Sequence, residues 1–494
     1  METFLSKSDF LSGRRCKKLL YYLYNPPSMM KDIPFKYNLA ESNKNITIQF
    51  GQQLYKGGID LSRAGTINGL ELVDATHKAL TGQHQIFYNG AFYSNGLLTK
   101  TDIMVLSERN NRILEIQNAT RLKLPQDIYD MGFLWKVLST TGMLKNLKLF
   151  IVHLNKEYRR GDKIDIESLF VHEDVTMRAR QIQTLIETEL NDLSAVLART
   201  NPPDVKVGMQ CIKPSACQFS RLCWNTTPKN SLSSVSSLTI KQKEFLKRQG
   251  IDTLLEIPRG LKVSEIQRVE LNSVIGKKPY INDKAIGEII KPVVKSNSIQ
   301  ILNIEVDRFP IPQFPGFNPY EYAPFQFCLL NTQPTKAIAF ERKEFIAPTN
   351  GDPRELFLVR LLQDTESNSP IIIYDDEFTL SMFEHLAVDF PAFAQEIKNR
   401  INRITDLKYL FKNKYYWRPE FKGRVDFETI FQILCPGQAE LISTFKNFNH
   451  ISSYRQLPMI DQAGQISLLK ELRDNSYKKT IALYYLFEEI KSLK

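Results

Sequence analysis

Three of the six cysteines in this 494-residue chain fall in one short window, Cys211-Ile-Lys-Pro-Ser-Ala-Cys217-Gln-Phe-Ser-Arg-Leu-Cys223-Trp224. The C-x5-C-x5-C spacing brings three thiols within reach of one centre. Structural zinc sites and iron–sulfur clusters usually take four protein ligands, so a fourth has to come from elsewhere. Cys16, in Ser12-Gly-Arg-Arg-Cys16-Lys-Lys-Leu, is the candidate. Its neighbours Arg14, Arg15, Lys17 and Lys18 favour the thiolate, the form that binds metal. An iron–sulfur cluster, a tetrahedral zinc on the same ligands and unligated buried thiols are the three readings of this set. In a reducing compartment clustered cysteines serve as metal ligands more often than as disulfides. Cys328 and Cys435 stand alone and read as core residues. The six histidines, at 77, 84, 153, 172, 385 and 450, show neither H-x3-H nor H-E-x-x-H spacing and are assigned no metal.

A second group with chemical potential is Asp102 together with Glu115-Ile116-Gln117. Period-two alternation puts Glu115 and Gln117 on one face of a strand, opposite Ile116. A strand Asp followed on the next strand by Glu-x-Lys is the PD-(D/E)XK arrangement. There two carboxylates hold Mg²⁺ or Mn²⁺, and the lysine helps to activate water and to stabilise developing negative charge. Here the lysine position is Gln117, whose neutral amide can orient water but cannot offset negative charge. Ordinary surface acids on strands are the alternative reading of so short a motif.

The elements that must position these residues follow from hydrophobic period and turn chemistry. Residues 1–24 read as a short helix, with Ser8 and Asp9 as N-caps and Phe10, Leu11, Leu19, Leu20 and Tyr21 as its apolar positions. Gln85 to Tyr88, Ala91 to Tyr93, Thr101 to Leu106 and Arg112 to Gln117 read as strands of a small antiparallel system. Residues 127–144 look helical and Phe150 to Leu154 extended. Residues 175–199 read as one long amphipathic helix, stopped by Pro202-Pro203 before the cysteines. A Ser-, Thr- and Pro-rich linker spans Asn225 to Ser237. A small helical segment follows to about Lys291, with Gly250 turning the chain between two helices. Residues 299–490 read as a last α/β domain, opening on a strand through Asn303 and Glu305 and ending in helix from about Gly464. No internal repeat is present.

Lys and Arg number 65 against 54 Asp and Glu, a net charge of +11. That balance suits a polyanionic partner through counterion release, and equally a composition merely rich in Lys and Asn. No run of about 18 apolar residues suggests a membrane span, and the first residues lack the apolar core of a secretory signal. A cytoplasmic location is expected. The run Lys412-Asn-Lys-Tyr-Tyr-Trp417-Arg418 interleaves cations and rings and could stack on bases, a half-buried strand being the alternative.

The order of these landmarks resembles the RecB-type iron–sulfur nuclease module. The matching positions are Leu5-Ser-Lys-Ser-Asp-Phe-Leu-Ser-Gly-Arg-Arg-Cys16, Ala91-Phe92, Asp102-Ile, Glu115-Ile-Gln, Leu154-Asn-Lys-Glu-Tyr-Arg-Arg160, Leu169-Phe170, Glu173-Asp-Val-Thr176 and the triple-cysteine stretch. The resemblance extends to an uncharacterised bacterial family in which this module precedes a DnaQ-like (RNase H fold) exonuclease domain. Pro319-Tyr320, Ala323-Pro-Phe-Gln-Phe327, Gly351-Asp-Pro-Arg354, Thr405-Asp-Leu407 and Tyr415-Tyr-Trp-Arg-Pro419 with Gly423 match that second domain.

The resemblance implies a [4Fe–4S] cluster on Cys16, Cys211, Cys217 and Cys223. It also implies a metal-binding Asp102 and a second acid, Glu115, with Gln117 replacing the lysine. The family's glutamate before Ala-Phe becomes Asn89, and its glutamine on the following helix becomes Leu134. A DnaQ-like domain opens with Asp-x-Glu, where this chain has Asn303-Ile-Glu305, and an amide oxygen is a poorer Mg²⁺ ligand than a carboxylate. Its second motif, Tyr-Asn-x-x-Phe-Glu, reads Tyr374-Asp375-Asp-Glu-Phe378-Thr379, and its late acid falls at Lys479. Asp375, Asp376 and Glu377 could substitute only in a shifted register, which turns side chains to the opposite face.

The expected protein is therefore α/β. A PD-(D/E)XK-like module with an iron–sulfur clasp covers residues 1–224, a linker and helical connector 225–298, and an RNase H-like domain 299–494. Its expected function is DNA binding, with Asp102, Glu115, Gln117 and Glu305 as vestigial catalytic residues and hydrolysis weak or lost. The alternatives are an active Mg²⁺-dependent DNA nuclease using Asp102 and Glu115, and a protein-interaction scaffold. Whether Lys479 comes beside Glu305 and Asn303 decides the second site.

Overall fold

Near the N-terminus a two-residue strand, β1 (Leu5–Ser6), runs directly into a helix, α1 (Lys7–Arg15), in the computed structural model. The start of α1 is set by a capping box. The Ser6 hydroxyl accepts the Asp9 N–H at 3.1 Å, and the Asp9 carboxylate accepts the Ser6 N–H at 3.0 Å. Ser6 is thus the N-cap, not Ser8 or Asp9. Nor do residues 1–24 form one helix. Cys16 is extended, with φ −165° and ψ 116°, and separates α1 from α2 (Lys17–Tyr24). The structure describes residues 4–27, 39–63, 69–211, 215–225, 231–232, 235–258, 260–332, 340–366, 368–375, 378–445 and 448–493.

The chain is mixed α/β and divides into two units, residues 1–227 with 309–321, and residues 228–308 with 322–494. The first unit holds a seven-stranded mixed sheet. Its main path runs β2 (Ile59–Asp60), β3 (Ile86–Ser94), β4 (Leu97–Val105), β5 (Asn111–Gln117), β6 (Leu147–Leu154) and β7 (Phe170–Asp174), while β1 pairs with the start of β4. β3 and β4 join through Asn95-Gly96, both at positive φ (51° and 77°), in the two-residue hairpin such a dipeptide favours. The hairpin lengthens both strands beyond their alternating apolar runs. β4 and β5 pair antiparallel with Ile103 opposite Leu114, and continuing that register puts Asp102 across from Glu115.

The helix α3 (Gln126–Thr141) covers the sheet and ends at Gly142, φ 66°. Residues 175–199 form two helices, Thr176–Gln181 and Gln183–Leu197, because Ile182 leaves helical geometry at ψ 9°. Phe10, Met131, Phe133, Val137, Leu149 and Leu193 belong to the apolar core between these helices and the sheet.

The second unit begins with the connector. Leu232 and Val235 are buried in a small core with Leu246, Leu254 and Leu271, so this part of the expected linker is packed. α4 (Ile240–Arg248) starts at a Thr239/Gln242 capping box and is followed by Gly250, φ 76°. Strand β8 (Tyr280–Ile281) precedes the main five-stranded sheet, ordered β11-β10-β9-β12-β13: β9 (Ile299–Arg308), β10 (Tyr322–Thr332), β11 (Glu341–Ile346), β12 (Ile371–Ile373) and β13 (Ile404–Asp406). β9, β10 and β11 are antiparallel neighbours, while β12 runs parallel to both β9 and β13.

β8 pairs instead with β14 (Tyr416–Trp417). The aromatic run at 415–417 does not form a base-stacking strip. Tyr416 and Trp417 lie in the core, and the Lys414 ammonium sits 3.2 Å from the centroid of the Trp417 ring while pairing with Glu270 at 3.0 Å. A last helix, α5 (Gln462–Ser492), capped by Asp461, packs against β9 and β10. Among the described residues no helix is long and apolar enough to cross a membrane.

Candidate functional site

Each unit brings a lysine against a glutamate of its sheet. In the first unit Glu115 is 7% exposed and projects from the middle of the sheet. Lys7, the first residue of α1, donates to Glu115 Oε2 at 2.6 Å and lies 3.1 Å from Asp130 Oδ1 on α3. The two acids from β4 and β5 cross over each other's backbone. Asp102 Oδ2 accepts the Ile116 N–H at 2.7 Å, and Glu115 Oε1 accepts the Asp102 N–H at 3.3 Å. Gln117 hydrogen bonds through its side chain to Asp127 on α3.

Burial pushes the Glu115 carboxyl up to about 7, and the charges of Asp102 and Asp130 add to this while Lys7 opposes it. Burial likewise raises the Asp102 carboxyl, again against Lys7. For Lys7 burial alone would lower the ammonium pKa, but Asp130 and Glu115 outweigh it and hold the group protonated.

Of the positions singled out from sequence, Asp102, Glu115 and Gln117 share this face. Leu134 is wholly buried in the core, whereas Asp127 of the same helix accepts the Lys123 N–H and Asp130 meets Lys7 of α1. Asn89 sits at φ 55° and donates to Asp60 Oδ1 at 2.8 Å. Sequence reasoning missed Lys7 and Asp130. No local spacing marks Lys7, because 108 residues separate it from Glu115.

In the second unit Lys479 of α5 donates to Glu305 Oε1 at 3.0 Å, and Asn303 donates to the same oxygen at 3.0 Å. Asn303 also reaches Ser476 Oγ, one helical turn from Lys479, at 3.2 Å. His450 Nε2 stands 4.0 Å from Glu305 Oε1, and its Nδ1 meets Gln326 Oε1 at 3.1 Å. Burial would raise the Glu305 carboxyl, yet Lys479, His450 and Asn303 overcome it and hold the group down at about 2. His450 is the residue of this site that spacing did not reveal.

Asn303 and Lys479 also line a cavity of about 200 Å³ with Tyr374, Asp375, Phe378 and Phe427. Asp375 Oδ2 accepts the Thr379 N–H at 3.0 Å and the Thr379 hydroxyl, leaving Oδ1 buried without a hydrogen-bond partner. Asp376 and Glu377 lie outside the described residues.

The cysteine set spans α1 and the stretch from Cys211. The Cys211 thiol is pushed up by burial and by the nearby Cys16 and Cys217, with Arg15 opposing. The Cys223 thiol is pushed up by burial and by Cys211, Cys16 and Cys217, with Lys18 opposing. Cys211 and Cys223 are thus each influenced by other thiols of the set, Cys211 by Cys16 and Cys217 and Cys223 by all three. Arg15 fastens α1 to this stretch, donating through Nε to Gln210 O at 2.8 Å and through Nη2 to Ser215 O. The Cys217 N–H donates to Cys211 O at 2.8 Å. All six cysteines are free, and among the described residues no group of three or more His, Cys, Asp or Glu is arranged to hold a metal ion.

Fold and sites together define a two-unit, mixed α/β protein in which a sheet glutamate of each unit is met by one of the chain's own lysines. Residues 301–430 match a family model described as Domain of unknown function (DUF2779), a span that includes Asn303, Glu305 and Asp375 but not Lys479. Among solved structures the chain is similar to one described as "Crystal structure of SSO0001", at 14% identity over 45% of this chain and 97% of that one, with a TM-score of 0.17. No curated protein matches the chain.

Proposed function

We propose that this chain is a DNA-binding protein of nuclease ancestry, with a PD-(D/E)XK-like first unit and an RNase H-like second unit, in which hydrolysis is weak or lost. The observation that carries this reading is the pair of lysine–glutamate contacts, 2.6 Å at Glu115 and 3.0 Å at Glu305. A divalent ion needs ionised oxygens and is repelled by a fixed ammonium at the same oxygens. Lys7 and Lys479 supply within the chain the positive charge that a nuclease takes from its metals. The surplus of cations over acids then favours a polyanion through counterion release.

The four cysteines fit an iron–sulfur cluster by number and by donor chemistry, since the raised Cys211 and Cys223 thiols, with Arg15 and Lys18 beside them, are stabilised when a metal takes them as thiolates. Cys16, Cys211, Cys217 and Cys223 would hold it, and its role would be to join α1 to the cysteine stretch. Zinc is the alternative occupant of the same ligands.

A second reading has a specific observation in its favour. Lys7 stands where it could serve Asp102 and Glu115 as the lysine that β5 lacks, which would make the first unit a Mg²⁺-dependent nuclease. A cleavage assay on single- and double-stranded DNA with Mg²⁺ or Mn²⁺ separates the two. The expected result is binding that weakens as salt rises, with no cleavage above that of an Asp102→Ala, Glu115→Ala double variant. Cleavage abolished by that double change would establish the second reading and overturn the first. Absence of DNA binding even at low salt would overturn both and leave an interaction scaffold.

A further inference from the structure

Within the connector, Phe245 is 55% exposed while its neighbour Leu246 is fully buried. The capping box fixes where α4 begins, and Leu246 anchors the helix in the connector core, so the opposite face is set. On that face Lys241, Phe245 and Arg248 fall at i, i+4 and i+7, one solvent-facing stripe of cation, ring and cation. The nine residues of α4 carry four cations, Lys241, Lys243, Lys247 and Arg248, against one acid, Glu244. Lys243, partly buried, feels Glu270 as well as the like charge of Lys247, so the outward charge of the helix rests on Lys241, Lys247 and Arg248.

The stripe borders a groove of about 570 Å³, lined by Phe245, Gln249, Ile251, Pro258, Leu261 and Lys262. Gly250 opens it. At φ 76° the chain turns back beneath the helix end, a conformation that residues with a Cβ rarely adopt. The groove shares no residue with the carboxylate sites or the cysteine set.

We propose that this groove is a docking surface for single-stranded nucleic acid, with a base stacked on Phe245 and phosphates paired with Lys241, Arg248 and Lys262. An exposed ring between cations matches the base–phosphate repeat of a single strand, and stacking accepts any base because every base has a π face. The groove itself is largely apolar, with Leu246, Ile251, Pro258 and Leu261, but the exposed helix face that borders it sets Lys241 and Arg248 on either side of Phe245, a charge that a phosphate-bearing strand complements and a neutral apolar peptide does not. The proposal rests on the nucleic-acid reading above, to which it adds a strand-binding surface.

The test is fluorescence anisotropy of the full chain with a labelled oligothymidylate across a salt series. Phe245→Ala should weaken binding about tenfold, the equivalent of losing one stacked base. Lys241→Gln with Arg248→Gln should reduce the slope of log K against log salt by about 1.4, from two phosphate contacts. Phe245→Trp should bind like the wild type, and oligothymidylate should quench the added indole fluorescence. Thermal melts confirm that the variants are folded, which the exposure of all three side chains favours.

Wild-type binding that none of these substitutions alters would overturn the groove and leave the nucleic-acid reading standing. Failure of the wild type to bind at low salt would sink both. Polyglutamate that displaces oligothymidylate at equal charge concentration would show that bases play no part, and would assign the groove to an acidic protein partner instead.

Discussion

Glu115 and Glu305 each meet a lysine ammonium, yet one carboxyl is pushed up to about 7 and the other held at about 2. The difference lies in their other neighbours. Asp102 and Asp130 crowd Glu115 with like charge, whereas Asn303 donates to Glu305 and His450 adds to Lys479. The consequences for stability are opposite. Glu305 titrates below its ordinary value of 4.5, so its contribution is present above that pH and is lost as pH falls toward about 2. Glu115 titrates above its ordinary value, so ionising it costs stability as pH rises from 4.5 to about 7. Lys479→Met should therefore raise the Glu305 pKa and destabilise the protein by roughly 2–3 kcal/mol at neutral pH, somewhat below the cost of breaking a fully buried pair. Urea unfolding at pH 7 and pH 3 measures this. The loss should be smaller at pH 3, and equal losses at both would mean that the ion pair is not responsible.

At the scale of elements, α1 links two sites. Lys7 at its first position reaches the carboxylates, and the chain breaks at Cys16, just past its last. Nine residues at about 1.5 Å each make it a rod of roughly 13 Å. Gly13 lets it lie close to the helix Gln183–Leu197, since an added Cβ would come within 2.6 Å of a Leu193 methyl. Arg15 then ties its end to the carbonyls of Gln210 and Ser215. A cluster on the four cysteines would complete that fastening. Anaerobically purified protein is accordingly expected to be brown, with broad visible absorbance, and Cys16→Ser to bleach it and lower its Tm. Colourless protein with one zinc per chain would transfer the same ligands to zinc, and protein holding neither metal would leave the thiols as packing residues.

At the scale of the molecule, the connector folds with the second unit. Glu270 is fully buried and accepts the N–H groups of Ser236 and Ser237 at 2.7 and 3.0 Å, while Lys414 pairs with it at 3.0 Å. Lys414 opposes burial and holds the Glu270 carboxyl below its ordinary range, so this stabilisation too is present near neutral pH and fades in acid. Gly423, at φ 80°, comes so close to Ser236 that an added Cβ would sit 2.2 Å from the serine Cβ. Glu270→Ala strands the Lys414 ammonium in an apolar setting, and the expected cost is about 3–5 kcal/mol. Scanning calorimetry should show that loss in the transition of the second unit, with the first unit unchanged. A uniform shift of the whole profile would mean that the units unfold together.

What could be read from the chain alone was local. The alternation around Asp102 and Glu115 places them on neighbouring strands and the Pro202-Pro203 pair marks the end of a helix, because each signal depends on residues close in sequence. Helix breaks at Cys16 and Ile182 escaped, since an apolar period continues through a local change of backbone angle. The aromatic run at 415–417 left two readings open for a related reason, because rings beside lysines look alike whether they face solvent or core. Only tertiary packing could decide that Lys7 meets Glu115 across 108 residues and that Lys479 meets Glu305 across 174. Alternation says which face a carboxylate takes. The charge that comes to meet it is set by how distant helices dock on the sheet, and in both units that charge belongs to the chain itself.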